Sequence, residues 1–235
     1  MKKIISYSIY KAPETWEVSQ NTSFAKYTSG LVENINTFRN FYPDWEIQIY
    51  HNEELDNSII KDLTQENIKF ILMKDKNINS MQWRFLPHDG ADVDFFIVRD
   101  VDSRFTEREK VSVMEWLESG KSLHIMRDHP HHTYDIMGGM WGMKKNTELN
   151  MENSIKDYNK SKNYDPNNHW YDKWWDMNFL RDVIYPKFKD DSFINASYHA
   201  IEKWAKPFSH QLEERKFVGE IYLENNQREY HYTLL

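Results

Sequence analysis

The sequence contains no cysteine, which excludes disulfides, thiolate metal sites and cysteine nucleophiles together. Basic charge is scarce. Thirty Lys and Arg against 37 Asp and Glu leave a net charge of −7, and an acidic surface does not hold a nucleic-acid backbone. A nucleic-acid partner is therefore not expected. No apolar run approaches the about 18 residues of a membrane span. Met1-Lys2-Lys3 leads straight into Ile4-Ile5-Ser6, too short an apolar stretch for a signal peptide. The expectation is a soluble, cytoplasmic protein with no transmembrane segment. Phosphate-cradling glycine loops of the Gly-x-Gly-x-x-Gly or Walker type are also missing, as are internal repeats and low-complexity stretches.

What is present suits one full-sized α/β domain. The chain has 235 residues, 15% of them aromatic and nine of them tryptophan, enough for a sizeable core. Residues 3–9 read as a first strand and residues 10–23 as a polar loop. Phe24 to Phe41 reads as a helix, with Tyr27, Leu31, Ile35 and Phe38 at helical spacing. Trp45 to Tyr50 alternates as a strand, Ile59 to Leu63 forms a short helix, and Ile68 to Met73 a third strand. This βαβαβ order is that of a nucleotide-binding half-sheet. Ser6, Ser8 and Tyr10, at the carboxyl edge of the first strand, are candidates to meet a nucleotide base and ribose; a buried strand with polar alternation reads equally well.

The chain is organised around Asp94 to Arg104. Phe95, Phe96, Ile97 and Val98 have the length and composition of a buried strand, and the run ends in two acids, Asp100 and Asp102. Like charges so placed raise each other's pKa, a cost that a divalent cation removes. Mg²⁺ takes one or two protein carboxylates and fills its other positions with water and phosphate oxygens, so the pattern points to a metal site that clamps a diphosphate. Thr106 and Glu109 then make a capping box, Val111, Met114 and Leu117 line one helical face, and Gly120 stands at the C-cap. Strand, acidic turn and helix is the layout of an open α/β sheet, whose ligands lie beyond the carboxyl ends of the strands.

Other candidates surround this centre. Met81 to Pro87 opens a helix holding Arg84, either paired with Asp89, Asp92 or Asp94 or reaching the ligand; Arg99 balances the local negative charge or meets the donor. Leu123 to Arg127 is a strand ending at Arg127 and Asp128, which could reach a sugar hydroxyl or a phosphate. Histidines 124, 129, 131 and 132 do not have the spacing of a zinc site. Ile136 to Gly142 carries Gly138, Gly139 and Gly142 around Trp141, a density that permits close backbone approach to a ligand. Residues 144–170 read as a mobile segment or lid. Trp170, Tyr171, Trp174 and Trp175 form an aromatic patch, either core or an acceptor platform. Asp176 begins a helix ended by Pro186, residues 193–201 a last strand or turn, and residues 207–221 a loop with Arg215, Lys216 and Gly219.

The runs W-R-F-L-P, R-D-V-D-S-R, E-W-L-E-S-G-K, H-I-M-R-D-H-P and G-G-M-W-G together resemble the small GT-A nucleotide-sugar glycosyltransferases, in particular the group typified by the chlorovirus glycosyltransferase domain and its bacterial relatives. I-I-S-Y-S-I-Y, K-Y-T-S-G and Y-P-D-W near the start, and D-M-N-F-L and F-V-G-E near the end, resemble the same group. The resemblance covers most of residues 3–221 and is most specific over 83–142.

It implies a single GT-A type domain over residues 1–223, with a mixed central sheet flanked by helices, a nucleotide-binding half (1–105), a donor-sugar and acceptor half (106–223), and a tail (224–235). It implies Mn²⁺ or Mg²⁺ on Asp100 and Asp102, bridged to the diphosphate of a UDP-sugar or similar donor, with a glycan or other hydroxyl acceptor. Gly138, Gly139 and Trp141 would lie beside the donor sugar, with Gly219 also on the donor side, Asp128 would hold sugar hydroxyls, and Asp176 would be the general base of an inverting reaction. Relatives carry His-Asp-Ser where this chain has Asn195-Ala196-Ser197, so Asn195 stands as a weaker third metal ligand unless His199 or His210 substitutes. Two carboxylates so close in sequence do not suit a glycoside hydrolase, and a phosphatase would place Thr where Arg104 stands. A catalytically lapsed nucleotide-sugar or carbohydrate binding protein is the alternative function.

Overall fold

Seven strands lie side by side in the order β3-β2-β1-β4-β6-β5-β7. They are β1 (Lys3–Ile9), β2 (Glu46–His51), β3 (Ile68–Leu72), β4 (Phe95–Val98), β5 (Leu123–Arg127), β6 (Trp141–Lys144) and β7 (Ser192–Ala196). The computed structural model describes residues 1–11, 23–169 and 173–229. β1 pairs in parallel with β2 and β4, β2 with β3, and β5 with β7, whereas β6 runs antiparallel to both β4 and β5. The sheet is the expected mixed one, and its first three strands alternate with helices as predicted.

Helices cover both faces, because strand side chains alternate and both sets are apolar. On β1 and β4, Ile5, Tyr7, Ile9, Phe95 and Ile97 pack with Leu31, Ile35 and Phe38 of α1 (Phe24–Phe41) and with Val113 and Trp116 of α3 (Glu107–Ser119). Ile4, Phe96 and Val98 face the other way. They join Trp83 and Phe85 of a 3₁₀ turn (Ser80–Asp89), Met151, Ile155 and Tyr158 of α4 (Met151–Ser161), and Phe179 beyond Asp176. Each fully buried side chain of this size contributes on the order of 1.5–3 kcal/mol. A short helix, α2 (Asn57–Leu63), joins β2 to β3 and buries no residue of its own.

Three local expectations are corrected. Helix α3 has its predicted ends, with Thr106 capping the Glu109 amide and Gly120 at φ +70°. Its buried face, however, is Arg108, Glu109, Ser112, Val113 and Trp116, and Met114 is exposed. The charged residues on that face are matched by buried partners, which an apolarity count does not see. Residues 144–170 are not a free lid: α4 occupies their centre, with Asp89 accepting from its first amides at Met151 and Glu152, 2.8 Å each. Nor does Pro186 end its helix. The chain runs from α5 (Trp175–Phe179) through a π turn (Leu180–Ile184) into α6 (Tyr185–Phe188). The wide turn supplies the slack that the missing proline amide and its ring require.

The last described residues fold back on the turn after β4, where Tyr222 N donates to Asp102 O at 2.8 Å and Arg104 Nε to Asn226 Oδ1 at 2.9 Å. Leu223 N donates to Gln227 O at 2.7 Å and Glu229 N to Ile221 O at 2.9 Å, so residues 224–229 are part of the packed body. Residues 12–22 of the predicted polar loop, Trp170 and Tyr171 of the aromatic patch, and the tail from 230 onward lie outside the described residues.

Candidate active site

A cavity of about 640 Å³ opens at the carboxyl ends of β1 and β4 and is bounded by the loop that joins β5 to β6. Ser8, Ile9, Tyr10, Phe24 and Tyr27 form its β1 side. Asp100, Asp102, Arg84 and Asp176 occupy the middle, and Tyr134, Gly138, Gly139, Trp174 and Met177 the β5–β6 side, with Phe217, Gly219 and Ile221 closing one edge.

The acidic turn is fixed by its carbonyls. Asp100 O accepts from the Ser103 hydroxyl at 2.8 Å, Val101 O from Asn34 Nδ2 at 3.1 Å, and Asp102 O from Tyr222 N at 2.8 Å. Helix α1 presents Lys26, Gly30 and Asn34, all buried and one turn apart, to this turn. A side chain at position 30 would strike Val101 O, so glycine alone allows the close approach. Lys26 Nζ lies 3.0 Å from Asp102 Oδ2. Burial pushes the Asp102 carboxyl up, opposed by Lys26 and reinforced by Asp100.

Arg84 joins the two parts of the centre. One of its Nη atoms binds Asp100, and the other donates to Asp176 Oδ2 at 2.9 Å. Burial pulls the Arg84 pKa down, but the two carboxylates more than offset it and hold the guanidinium charged. Asp176, fully buried at the start of α5, is pushed up by burial and held back by Arg84. Arg84 is thus paired with neither Asp89, Asp92 nor Asp94. Its backbone amide donates to Ser8 Oγ at 3.1 Å, which ties the 3₁₀ turn to the end of β1. Gly138 and Gly139 pack their backbone against the carboxylates of Asp176 and Asp100, where any β-carbon would collide.

The cavity therefore brings together Ser8, Tyr10, Arg84, Asp100, Asp102, Gly138, Gly139, Asp176 and Gly219. Six other candidates lie elsewhere, each for a visible reason. Ser6 is buried inside β1, between two paired strands. Arg99 points to the α1/α3 face, with Nε 2.6 Å from Glu109 and an Nη on Val98 O; Glu109 spends its carboxylate there and on Tyr42 OH rather than closing the capping box. Arg127 makes a bidentate pair with Glu202, 2.8 Å on each arm. Trp141, on β6, is core between Phe85 and Phe96. Asn195, the expected third metal ligand, accepts from Ser112 Oγ at 2.7 Å inside β7.

Asp128, expected to hold sugar hydroxyls, is placed outside the cavity as the hub of a buried network. It has no exposed surface and accepts from Arg108 Nε and Nη2 at 2.8 Å each, from Ser197 Oγ, and from Val218 N at 3.0 Å. Arg108 also donates to His210 O. One ion pair thereby ties α3, β5, the turn after β7 and the 207–221 segment together.

Sequence reasoning singled out neither Tyr134, on the cavity wall, nor Lys26. For Lys26 the signal was a lysine, a glycine and an asparagine at four-residue spacing on one side of an amphipathic helix.

No family model matches the chain, and no curated protein matches it. Among solved structures it is similar to an active-site mutant of LgtC, with 12% identity, 88% of this chain and 85% of that one covered, and a TM-score of 0.50. The galactosyltransferase LgtC in complex with donor and acceptor sugar analogs is 11% identical over 82% of this chain and 73% of that one, TM-score 0.49. The glycosyltransferase GlyE of Streptococcus pneumoniae TIGR4 is 14% identical over 81% and 44%, TM-score 0.45. At such identities the likeness is one of fold. The chain has a GT-A type fold, shared with the LgtC mutant structure.

Proposed function

We propose that this chain transfers a sugar from a nucleotide-diphosphate donor, a UDP-sugar, to a hydroxyl of a glycan acceptor, with Mn²⁺ or Mg²⁺ held by Asp100 and Asp102. The observation that carries this reading is the convergence of the acidic turn, Arg84 and Asp176 in one cavity at the carboxyl ends of parallel strands.

The donor set suits such an ion. It offers carboxylate oxygens alone, as hard dications prefer, and two are enough when water and diphosphate oxygens fill the remaining positions. Arg84 takes Oδ1 of Asp100 and Lys26 takes Oδ2 of Asp102, which leaves the second oxygen of each outside these two pairs; the Asp100 side chain is 47% exposed. When bound, the dication supplies neutralisation of the charge that grows on the departing diphosphate. Arg84, itself buried, adds fixed positive charge, which acts most strongly away from bulk water. Asp176, pushed up by burial, is suited to take the proton of the acceptor hydroxyl as that oxygen attacks the anomeric carbon. The Arg84 guanidinium beside it opposes that shift. Ser8 and Tyr10 serve the nucleoside end, and Gly138 and Gly139 the donor sugar.

Replacing Asp100 and Asp102 by Asn tests the clamp. Metal-dependent UDP binding, measured by calorimetry, is expected to vanish; unchanged binding removes the clamp. A second reading, a lapsed enzyme that only binds a nucleotide sugar, has one observation in its favour: Asn195, which stands where the resembled group carries histidine, is bonded to Ser112 and does not line the cavity. Donor hydrolysis in the presence of Mn²⁺ separates the two, since a lapsed enzyme binds UDP and releases no sugar.

A further inference from the structure

Two aromatic rings stand together at the rim of the cavity. The Trp174 indole is 53% exposed, more than that of any other described tryptophan. Its backbone is held at φ +70°, a left-handed conformation that a bulky residue seldom adopts and that persists where surrounding structure enforces it. Tyr134, from the segment after β5, lies parallel to it, with ring centroids 5.9 Å apart and 4° between the planes. The two rings come from separate elements, and both line the cavity. Two residues after Trp174 stands Asp176, with its carboxylate on Arg84.

Their place in the sheet order matters. Ser8 and Tyr10 follow β1, Asp100 and Asp102 follow β4, and Tyr134 lies between β5 and β6, so the cavity runs in that order across the sheet. The β1 end has its own aromatic residues, Tyr10, Phe24 and Tyr27, suited to a base. The acids and Arg84 take the middle, suited to a diphosphate and a reacting carbon. The same side carries Gly138 and Gly139, given above to the donor sugar, but Trp174 stands on the segment that leads into Asp176, so the two rings fall to the molecule whose hydroxyl meets that carboxylate.

We infer that Tyr134 and Trp174 form a platform on which a pyranose ring of the acceptor lies by its apolar C–H face, with one hydroxyl turned toward Asp176. This rests on the glycosyltransferase reading above and names the acceptor class. A pyranose presents an apolar face and a polar rim, which matches a flat indole beside a buried carboxylate. A purely polar acceptor has no use for the rings.

The test is saturation-transfer NMR on the full chain with UDP and Mg²⁺, using methyl β-D-galactopyranoside and methyl β-D-glucopyranoside as probes and sorbitol as the acyclic control. Ring C–H protons of at least one glycoside are expected to saturate while sorbitol does not. W174A and Y134A should each reduce that signal about fivefold, the scale of one aromatic contact. W174F should restore at least part of it. W204A, which removes an indole that is also exposed but lies outside the cavity, should leave it intact. Saturation of neither glycoside, equal saturation of sorbitol, or a W174A signal equal to that of the unaltered chain overturns the platform. UDP resonances in the same samples keep the two readings apart. UDP bound without glycoside sinks the platform alone, whereas Trp174-dependent glycoside binding without UDP sinks the nucleotide-sugar reading and leaves the platform standing.

Discussion

Replacing Asp128 by Asn decides whether that acid acts on a ligand or holds the fold. The substitution keeps shape and volume and removes one charge. In the structure the carboxylate has no exposed surface and faces four donors, two of them on Arg108, which is itself buried. An amide retains one acceptor oxygen and turns an NH₂ toward one of those donors, while the guanidinium stays buried beside a neutral partner. Breaking a buried pair from one side costs about 3–5 kcal/mol. That is a large part of the roughly 5–15 kcal/mol that holds a domain folded. Urea unfolding, followed by tryptophan fluorescence and circular dichroism together to check for a single transition, should show a loss of that size. The double variant Arg108→Met, Asp128→Asn should lose less than the sum of its parts by about 2 kcal/mol or more, because removing both charges leaves none stranded. A loss below about 1 kcal/mol accompanied by abolished turnover would refute the reasoning and return Asp128 to the reaction.

Two further outcomes follow from the geometry. Gly139→Ala places a methyl group against the Asp100 carboxylate, a short and half-exposed side chain that can rotate aside. Stability should therefore change by only about 1 kcal/mol, the worth of a partly exposed ion pair, while calorimetric UDP affinity with Mn²⁺ drops at least about tenfold, the scale of about 1.4 kcal/mol; unchanged affinity would place the diphosphate away from Asp100. His132 accepts a hydrogen bond from Asp128 N through Nδ1 at 3.0 Å. Burial, aided by His129, His131 and His199, pushes it down to about 3. Its unfolded value is near 6.5, so its contribution is fully present above pH 6.5 and is lost as pH falls from there toward 3. The loss reaches about 2 kcal/mol at pH 5. His124, pushed down by burial in the core, adds a loss of the same sign. Urea midpoints measured at pH 7.5 and pH 5 should converge in His132→Gln relative to the unaltered chain, and equal pH slopes would show that the imidazole is already free to protonate.

What the amino-acid sequence made legible, and what it hid, follows from how each residue signals. The strands announce themselves because runs such as Phe95-Phe96-Ile97-Val98 can only be buried, and an acidic pair behind such a run has few structural excuses. The charges at strand ends are harder. Arg99 and Asp100 are adjacent, as are Arg127 and Asp128, and composition treats each pair alike. Strand parity separates the first pair. Arg99 shares its side of β4 with Phe95 and Ile97, the side that packs on α1 and α3, so it meets Glu109, whereas Asp100 falls on the side of Phe96 and Val98 and meets Arg84. For the second pair parity is not enough, because the partners, Glu202 and Arg108, come from 75 residues ahead and 20 behind. No local pattern encodes such a contact.

Lys26 was hidden by a different rule. Lysine on a helix reads as solvated surface, and the apolar stripe of α1, Leu31, Ile35 and Phe38, accounts for burial without it. Yet Lys26, Gly30 and Asn34 form a second stripe beside the first, and glycine in a helix interior costs on the order of 1 kcal/mol relative to alanine. A helix bears that cost where backbone must approach backbone, and here Gly30 lets Val101 O come close while Asn34 binds that same oxygen and Lys26 reaches Asp102. A small residue flanked one turn away by a cation and an amide on a buried face is thus evidence of a polar turn docked against the helix. In this chain that turn is the one bearing the two acids.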